Sequence, residues 1–479
     1  MRALNPEKSL LDQLAPGAFS ISNSPIWQDS STTQECKELE GVVGGARALA
    51  DITGSRGCER FTGPQIKKVS VFLPVVLASL VIEFAHQIRR THPASYEDTA
   101  WISLVSSFVA SLFLGKIASI DVSDASGMNL MNVLSHKWVD TILEAAGGKE
   151  LRRKLKGEPV EGGVSLGKVH PYWTQRWGFA PGTPFLALGL VPAQPLKPLD
   201  TGCLVAPFTG DNPASVIALS TPGDAIMSLG TSTTFLLSIP PSAKHPKRLT
   251  SSHLLSHPTE KGAQIAMLCY KNGALAREKV RDKYAQSNWG KFNELVEASA
   301  PGNNKTLGFY FPLPEIIPTN VQGEYFYDIS NPSSPVAKDI IPNEAHPRAI
   351  LESQFLSIGA RIQDILPEGS QPLRRLILIG GSSENQTIRQ LAADVFGLKV
   401  YVATGGKEAA AVGGAQLARY AWWKGHNRIN STFEEMIAGD PESVTLVAEP
   451  RPEVVGVFEG LVEPYRRCEA LVAQDSASR

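Results

Sequence analysis

Three short stretches carry residues of a type and spacing that could do chemistry. In "VAPFTGDNPASV", residues 205 to 216, Asp211 follows a glycine between an apolar run and a proline. Such an Asp-Asn pair closes turns by capping its own backbone, and a carboxylate at a strand end can also take a proton from a substrate. Local sequence leaves both readings open. In "MSLGTSTT", Gly230 lets the backbone approach an anion, while Thr231, Ser232 and successive N–H groups can donate to phosphate oxygens. A hairpin turn explains the same letters. In "LIGGSSENQTI", Gly380 and Gly381 precede a helix whose N-terminus attracts negative charge, or whose serine only caps it. Together the three suit phosphoryl transfer, which needs a cradle for the donor, a seat for the nucleotide and a base for the accepting hydroxyl.

Other catalytic signatures are missing or misplaced. No Gly-Lys pair is followed by Ser or Thr, no G-x-G-x-x-G opens a helix after a strand, and no H-E-x-x-H occurs. "GVSLG", Gly163 to Gly167, has the letters of a nucleophile elbow, but the polar "KLKGEPVEG" before it is not the buried strand that motif requires, so Ser165 reads as a loop serine. His253 and His257, four apart in "SSHLLSH", read as part of a solvated loop rather than a metal site, because Pro258 follows at once and only Glu260 adds a ligand nearby. No metal-ligating residue is assigned.

Composition narrows the partners. Lys+Arg 46 against Asp+Glu 47 gives no field for a nucleic-acid backbone or an acidic membrane surface. Small neutral ligands fit that balance. The five cysteines are scattered, with no C-x-x-C pair, so neither a disulfide framework nor zinc is indicated. The opening "MRALNPEKSLLDQL" is charged where an export signal is apolar, which points to a cytoplasmic protein. "VSVFLPVVLASLVI", Val69 to Ile82, imitates a membrane span, but it carries Pro74 and falls short of the roughly 20 apolar residues a spanning helix needs.

The elements that must position these residues suggest two domains, since 479 residues exceed one compact core. "ECKELEGVVGGARALADITG" has helical spacing and closes on Gly54. "ISLVSSFVASLFLG" reads as a helix buried almost all round, "DVSDASGMNL" as a loop, and "HKWVDTILEAAGG" as a helix with a glycine stop. "TPGDAIMSLGTSTTFLLSIP" predicts a hairpin, and "SIPPSAKHPKRLTSSHLLSHP" a polar surface loop. "RRLILIGGSSENQTIRQLAADVFGLKVYVA" predicts strand, glycine loop, helix and strand, a crossover unit of an α/β sheet. "KEAAAVGGAQLARYAWW" predicts a small-residue helix able to pack closely, and Phe458, Leu461, Val462 and Tyr465 mark a helical tail.

In this order, "WQDSSTTQEC", "GGARALADITGSRGCERFTGPQI", "DVSDASGMNL", "PFTGDNPAS", "SLGTSTTFLLS", "MLCYKNGALAREK" and "LGFYF" resemble the FGGY family of carbohydrate kinases, and within it the eukaryotic D-xylulose kinases. The resemblance runs from about Ser20 to near Tyr420. It implies an α/β fold of two actin-like (ribonuclease H-like) ATPase domains with an interdomain cleft, the first domain incomplete. Residues 1–218 would be the sugar-binding domain and 219–479 the nucleotide-binding domain. The implied reaction is transfer of a phosphoryl group from ATP, with Mg2+, to D-xylulose, giving D-xylulose 5-phosphate in pentose catabolism. Asp211 matches the family's catalytic base, and Arg60 and Asn212 match sugar contacts. Gly230, Thr231 and Ser232 match a phosphate loop, and Gly381, Ser382 and Asn385 match the nucleotide loop. Trp289 matches a residue near the adenine, or is an ordinary core tryptophan.

Three departures qualify the resemblance. The family's first phosphate loop and the histidine segment that contacts sugar are not found after Met1. Two blocks, 69–87 and 184–202, interrupt otherwise continuous family sequence and read as foreign insertions of the kind retained introns leave. Another FGGY sugar or polyol kinase, or an inactive chain that only binds nucleotide or a partner, is the alternative reading.

Overall fold

The computed structural model describes all residues except Pro6, Trp27, 71–92, 178–202, Ala243, Glu368, 404–405, 427–430, 441–442 and Arg479. The two interrupting blocks and the apolar run after Val69 therefore lie outside the described residues, apart from Val69 and Ser70 at the end of the helix Thr62–Ser70. The chain forms two compact units. The first is Met1–Ala218 with Arg248–Gln264 and Ala410–Gly439; the second is Leu219–Lys247, Ile265–Ala409 and Asp440–Arg479. Among the described residues no helix is long and apolar enough to cross a membrane.

The first unit is mainly helical. Its core joins Leu39, Leu49, Ile66, Ile120, Met128, Trp138, Ile142 and Leu143. The helical pattern that closes on Gly54 is two helices, Thr33–Val43 and Ala46–Thr53, because Gly44 and Gly45 adopt φ of 97° and 113° and break the ladder between them. The helix Val105–Leu114 ends on Gly115 as read, but Val105 is 82% exposed, so it is buried on one side only. "DVSDASGMNL" is not a loop throughout. Asp121 caps the helical turn Val122–Ala125 by accepting from the N–H groups of Ser123 at 2.9 Å and Asp124 at 3.1 Å, so the polar cluster starts a helix.

The polar loop around residue 250 contains a strand, His253–Ser256. Leu254 and Leu255 are buried in it, and His257 just beyond is 5% exposed. Burial pushes His253 and His257 down to about 4, with the charges of Arg56 and Arg60 adding to the effect at His253. Both imidazoles are held neutral, His257 in the core and His253 half-buried at the strand's start, rather than in a solvated loop.

In the second unit, β1 (Asp224–Leu229) and β2 (Thr233–Ile239) form the hairpin that the sequence predicts, with Leu229 opposite Thr233. β3 (Gln264–Tyr270) follows, then the antiparallel trio β4 (Thr306–Phe311), β5 (Gly323–Asp328) and β6 (Val336–Lys338). β7 (Arg375–Ile379), the helix Gln386–Phe396 and β8 (Val400–Ala403) make the predicted crossover, and β9 (Val444–Ala448) closes the sheet. The sheet order is β9-β8-β7-β1-β2-β3, with the strand His253–Ser256 as the seventh, beside β3. Its β7 pairs in parallel with both β1 and β8. The long tail helix Pro452–Ser478 buries Tyr465, Cys468 and Val472 against Phe309, Tyr327 and Leu356.

A charged clamp fixes the β1/β7 register. Asp224 is fully buried and stands opposite Arg375. Its Oδ2 accepts from Arg375 Nε at 3.1 Å and from the Thr221 N–H at 3.0 Å. Asp224→Ala removes the carboxylate that Arg375 donates to and frees that turn. It is expected to cost about 2–3 kcal/mol, toward the low end for a broken buried pair because Arg375 can reach water, measured as a lowered urea midpoint of unfolding.

Candidate active site

The two glycine turns emerge side by side. Because β1 and β7 run parallel with Ser228 opposite Ile379, Gly230 to Ser232 and Gly380 to Ser382 leave the same end of adjacent strands. A Cβ added to Gly380 would lie 3.0 to 3.1 Å from the Leu229 backbone, and Gly380 holds φ at 88° and ψ at 170°, a region open essentially to glycine alone. Around Gly381 the space is open, with nothing within 4 Å of an added Cβ. That leaves a bare backbone surface of the kind a flat base or a phosphate can approach.

Each turn is held from behind. The carbonyls of Gly230 and Thr231 accept from the N–H groups of Ala274 at 3.0 Å and Gly273 at 3.1 Å, at the start of the helix Ala274–Tyr284. With those carbonyls engaged, Thr231 and Ser232 stay exposed. The second turn winds into a short 3₁₀ segment, Gly381–Glu384, in which Ser383 Oγ donates to the Gly380 carbonyl at 2.6 Å. Asn385 caps the next helix by accepting from the Ile388 N–H at 3.1 Å, while its Nδ2 donates to Asn293 Oδ1 at 2.9 Å. Asn293 lies one turn after Trp289 in the helix Trp289–Ala298. Trp289 is half-buried, set edge-on to Phe292, with the Arg281 guanidinium 4.8 Å from its ring centroid. Gly230, Thr231, Ser232, Gly381, Ser382, Asn385 and Trp289 thus all belong to the second unit, and Asn293 joins the last two.

Asp211, Asn212 and Arg60 belong to the first unit. Asp211 opens the helix Asp211–Leu219 and is exposed. Its Oδ1 accepts from the Asn212 N–H at 2.8 Å and from Asn212 Nδ2 at 3.1 Å, and no described residue donates to its Oδ2. The side chain therefore anchors the first turn with one oxygen and leaves the other open. The helix sits where it does because Gly413 of the helix Ala409–His426 admits it: a Cβ there would fall within 2 Å of the Ala214 carbonyl oxygen. This is the close packing expected of that small-residue helix. Arg60 is exposed, in the turn before the helix Thr62–Ser70.

Sequence reading missed the carboxylates behind Asp211. Asp124 Oδ1 would lie 3.0 Å from a Cβ on Gly210, and the Ser106 hydroxyl donates to Oδ2. Burial pushes Asp124 up to about 6; the Ser106 bond opposes this and the negative charge of Asp211 adds to it. Asp121 is driven up to about 7 chiefly by burial. The signal available was the Asp-x-x-Asp spacing in "DVSDAS", which a loop reading discards. Gly273 and Asn293 were also missed, since backbone support leaves no motif. Among the described residues no group of three or more His, Cys, Asp or Glu side chains could hold a metal ion. ATP chelates magnesium through its own phosphates, so a kinase site needs few protein ligands for it.

Residues 225–422 match the C-terminal domain of the FGGY family of carbohydrate kinases. The chain is 37% identical over 466 residues to a protein of Aspergillus flavus named "Probable D-xylulose kinase A", covering 91% of this chain and 73% of that one. It is 36% identical over 468 residues to the xylulose kinase of Rattus norvegicus, covering 96% and 76%. Among solved structures, the xylulose kinase of Rhodospirillum rubrum superposes with a TM-score of 0.66 at 16% identity, covering 93% of this chain and 78% of that one. The Plasmodium falciparum glycerol kinase with ADP gives 0.65 at 13%, covering 93% and 78%. At those identities the superpositions establish the fold, which is the two-domain actin-like ATPase fold.

Two substitutions test the local geometry. Gly380→Ala is expected to cost about 1–3 kcal/mol in urea unfolding, and Gly381→Ala to stay within about 0.5 kcal/mol of the parent. Asp124 has its folded-state acidity weakened from 3.8 to about 6, so its contribution is present at low pH and is lost as pH rises through 6. Asp124→Asn, which mimics the protonated form, should gain stability over the parent between pH 3 and pH 7, by up to about 3 kcal/mol. A constant difference in urea midpoint across that range would contradict it.

Proposed function

This chain belongs to the FGGY family of carbohydrate kinases, and we propose that it transfers the γ-phosphoryl group of ATP to the terminal hydroxyl of D-xylulose, with Asp211 as general base. The observation that carries the substrate is the match to xylulose kinases at 36 to 37% identity over nine-tenths or more of this chain. The family membership supports ATP as donor, and ATP brings magnesium with it as the metal-chelated substrate.

The roles follow from chemistry already described. The sugar hydroxyl gives its proton to the open Oδ2 of Asp211 as its oxygen forms the bond to the γ-phosphorus, the bond to the bridging oxygen breaks, and ADP leaves. Tying Oδ1 to Asn212 holds the carboxylate in one orientation, which a base must have to meet a hydroxyl at hydrogen-bond distance. Asn212 and Arg60 supply donors for the sugar's hydroxyl and carbonyl oxygens. On the nucleotide side, Thr231 and Ser232 offer hydroxyls to the phosphates, the bare surface at Gly381 takes the nucleoside, and Trp289 offers an aromatic edge nearby. The magnesium carried by ATP offsets charge on the transferred group.

We assign the two domains as 1–218 for sugar and 219–479 for nucleotide, with 248–264 and 410–439 of the latter packing in the first compact unit, and place the activity in the cytoplasm; the near balance of charge suits a small-molecule enzyme.

The assay is ADP release with D-xylulose, run beside glycerol and gluconate. Turnover with D-xylulose above the other two is the expected result, and Asp211→Asn should lower kcat by about 10²–10⁴ while leaving sugar affinity within a few fold. Retained turnover in Asp211→Asn would move the base elsewhere. ADP binding without sugar-dependent ADP release would replace the kinase reading by a nucleotide-binding one.

A further inference from the structure

Among the described residues, Arg277, in the helix Ala274–Tyr284, is the largest side chain buried completely, with 0% exposure. Among the described residues no carboxylate forms an ion pair with it. Its Nη1 donates to Gln354 Oε1 at 2.7 Å, its Nη2 donates to Ser382 Oγ at 3.2 Å, and its Nε has no acceptor. Burying a full charge with no ion-paired partner is costly, and mutation toward an apolar side chain of similar size would relieve that cost. Burial accordingly pushes Arg277 down to about 10, the negative charge of exposed Glu278 only partly opposing it. Two other buried charges in this unit have ion-pair partners: Glu352 holds Arg348 at 2.6 Å and Asp394 holds Arg451 at 2.5 Å; buried Glu315 is held by backbone N–H groups and Asn272 Nδ2 instead.

What Arg277 reaches is informative. Gln354, which accepts from it, donates through Nε2 to the carbonyls of Asn272 at 2.8 Å and Gly273 at 3.2 Å. Gly273 in turn donates its N–H to the Thr231 carbonyl of the first glycine turn. Ser382 belongs to the second turn. One guanidinium is thus wired to both turns. Arginine carries no acceptor, so Ser382 Oγ must accept, and its own hydroxyl proton is left free to donate elsewhere, with Gly381 beside it exposed.

We infer that Arg277 is a positioning residue for the nucleotide's phosphate groups: it orients the Ser382 hydroxyl as a donor to a phosphate oxygen and supplies the buried positive charge that the bound polyphosphate neutralises. This rests on the nucleotide-binding part of the proposed function. The arginine does not touch the ligand; it acts through Ser382 and through the backbone of the first turn. A purely mechanical brace would hold adenosine and ADP equally well, whereas a charge acting through a hydroxyl discriminates between them.

Titration calorimetry of the full chain with ADP and with adenosine separates these outcomes. Arg277→Met should weaken ADP about tenfold while adenosine changes less than about twofold, Ser382→Ala should shift the same ratio in the same direction, and the double variant should lose little more than Arg277→Met alone. Arg277→Lys, which keeps the charge, should recover part of the ADP affinity. Equal losses for both ligands, an unchanged ratio, or additive effects in the double variant overturn the inference. If the Arg277 variants do not fold, Ser382→Ala decides alone, because that side chain is only half-buried; an unchanged ratio there overturns it too. A parent chain that binds ADP but shows no sugar-dependent ADP release would fail the kinase reading and leave this one intact. A parent that binds no ADP overturns both.

Discussion

The parallel pairing of β1 with β7 is the constraint on which the nucleotide side of the molecule depends. Adjacent strands lie about 4.8 Å apart, so two turns leaving the same edge must share a space narrower than a pair of ordinary side chains. Glycine at position 380, almost touching the Leu229 backbone, is what makes the arrangement sterically allowed. At the other end of the same two strands the Asp224 carboxylate sets the register against Arg375. A slip of one residue would turn the strand faces over and carry the two turns out of line. Thr231, Ser232, Gly381 and Ser382 are side by side because a register holds them there, not because they are near in sequence.

Much of this unit was legible in the letters. Apolar runs bounded by glycine gave β1, β2 and β7, and their alternation with the pattern of Gln386 to Phe396 gave a parallel crossover, since only a helix of that length returns the chain to the same edge. The small residues around Gly413 announced a close helix contact, and Gly413 does meet Ala214. Less visible was the stretch from Asp121 to Asn129, where composition says loop and a single capping carboxylate makes a helical turn instead. The strand at His253 was hidden for a related reason: Ser and His look solvated in sequence, and it is burial against the rest of the unit that makes them core. Of the site residues, Asp211, Thr231 and Gly381 stood out by type. Arg277, Gln354 and Asn293 did not, because their importance lies in which backbone groups they reach, and reach is a property of the folded chain.

Charge is handled differently in the two units. Around Asp211 the acids crowd, and burial with mutual repulsion keeps Asp124 and Asp121 closer to neutrality than an ordinary carboxylate, while Asp211 stays in contact with solvent. In the second unit the buried acids Asp224, Glu352 and Asp394 are held by arginines, while Arg277, a buried cation next to the glycine turns, has no ion-pair partner among the described residues. An acid-rich setting suits a group that must accept a proton, and a buried cation with no ion-paired acid suits a group that must attract phosphate. The contrast arises from which residues are starved of water, not from net charge, which is close to zero for the chain.

The chain path between the units has a consequence for how the protein is made. The first unit is completed by residues 248–264 and 410–439, and the helix that seats Asp211 belongs against one that begins nearly two hundred residues later. Such a unit cannot close while its final segment is still inside the ribosome. During synthesis the apolar surfaces of its early helices stay uncovered until most of the polypeptide has emerged, and contacts so distant in sequence form slowly. Early release of the nascent chain, even one cut short only after the nucleotide turns, would yield a first unit with no partner for Ala214 and a strong tendency to aggregate or to occupy chaperones.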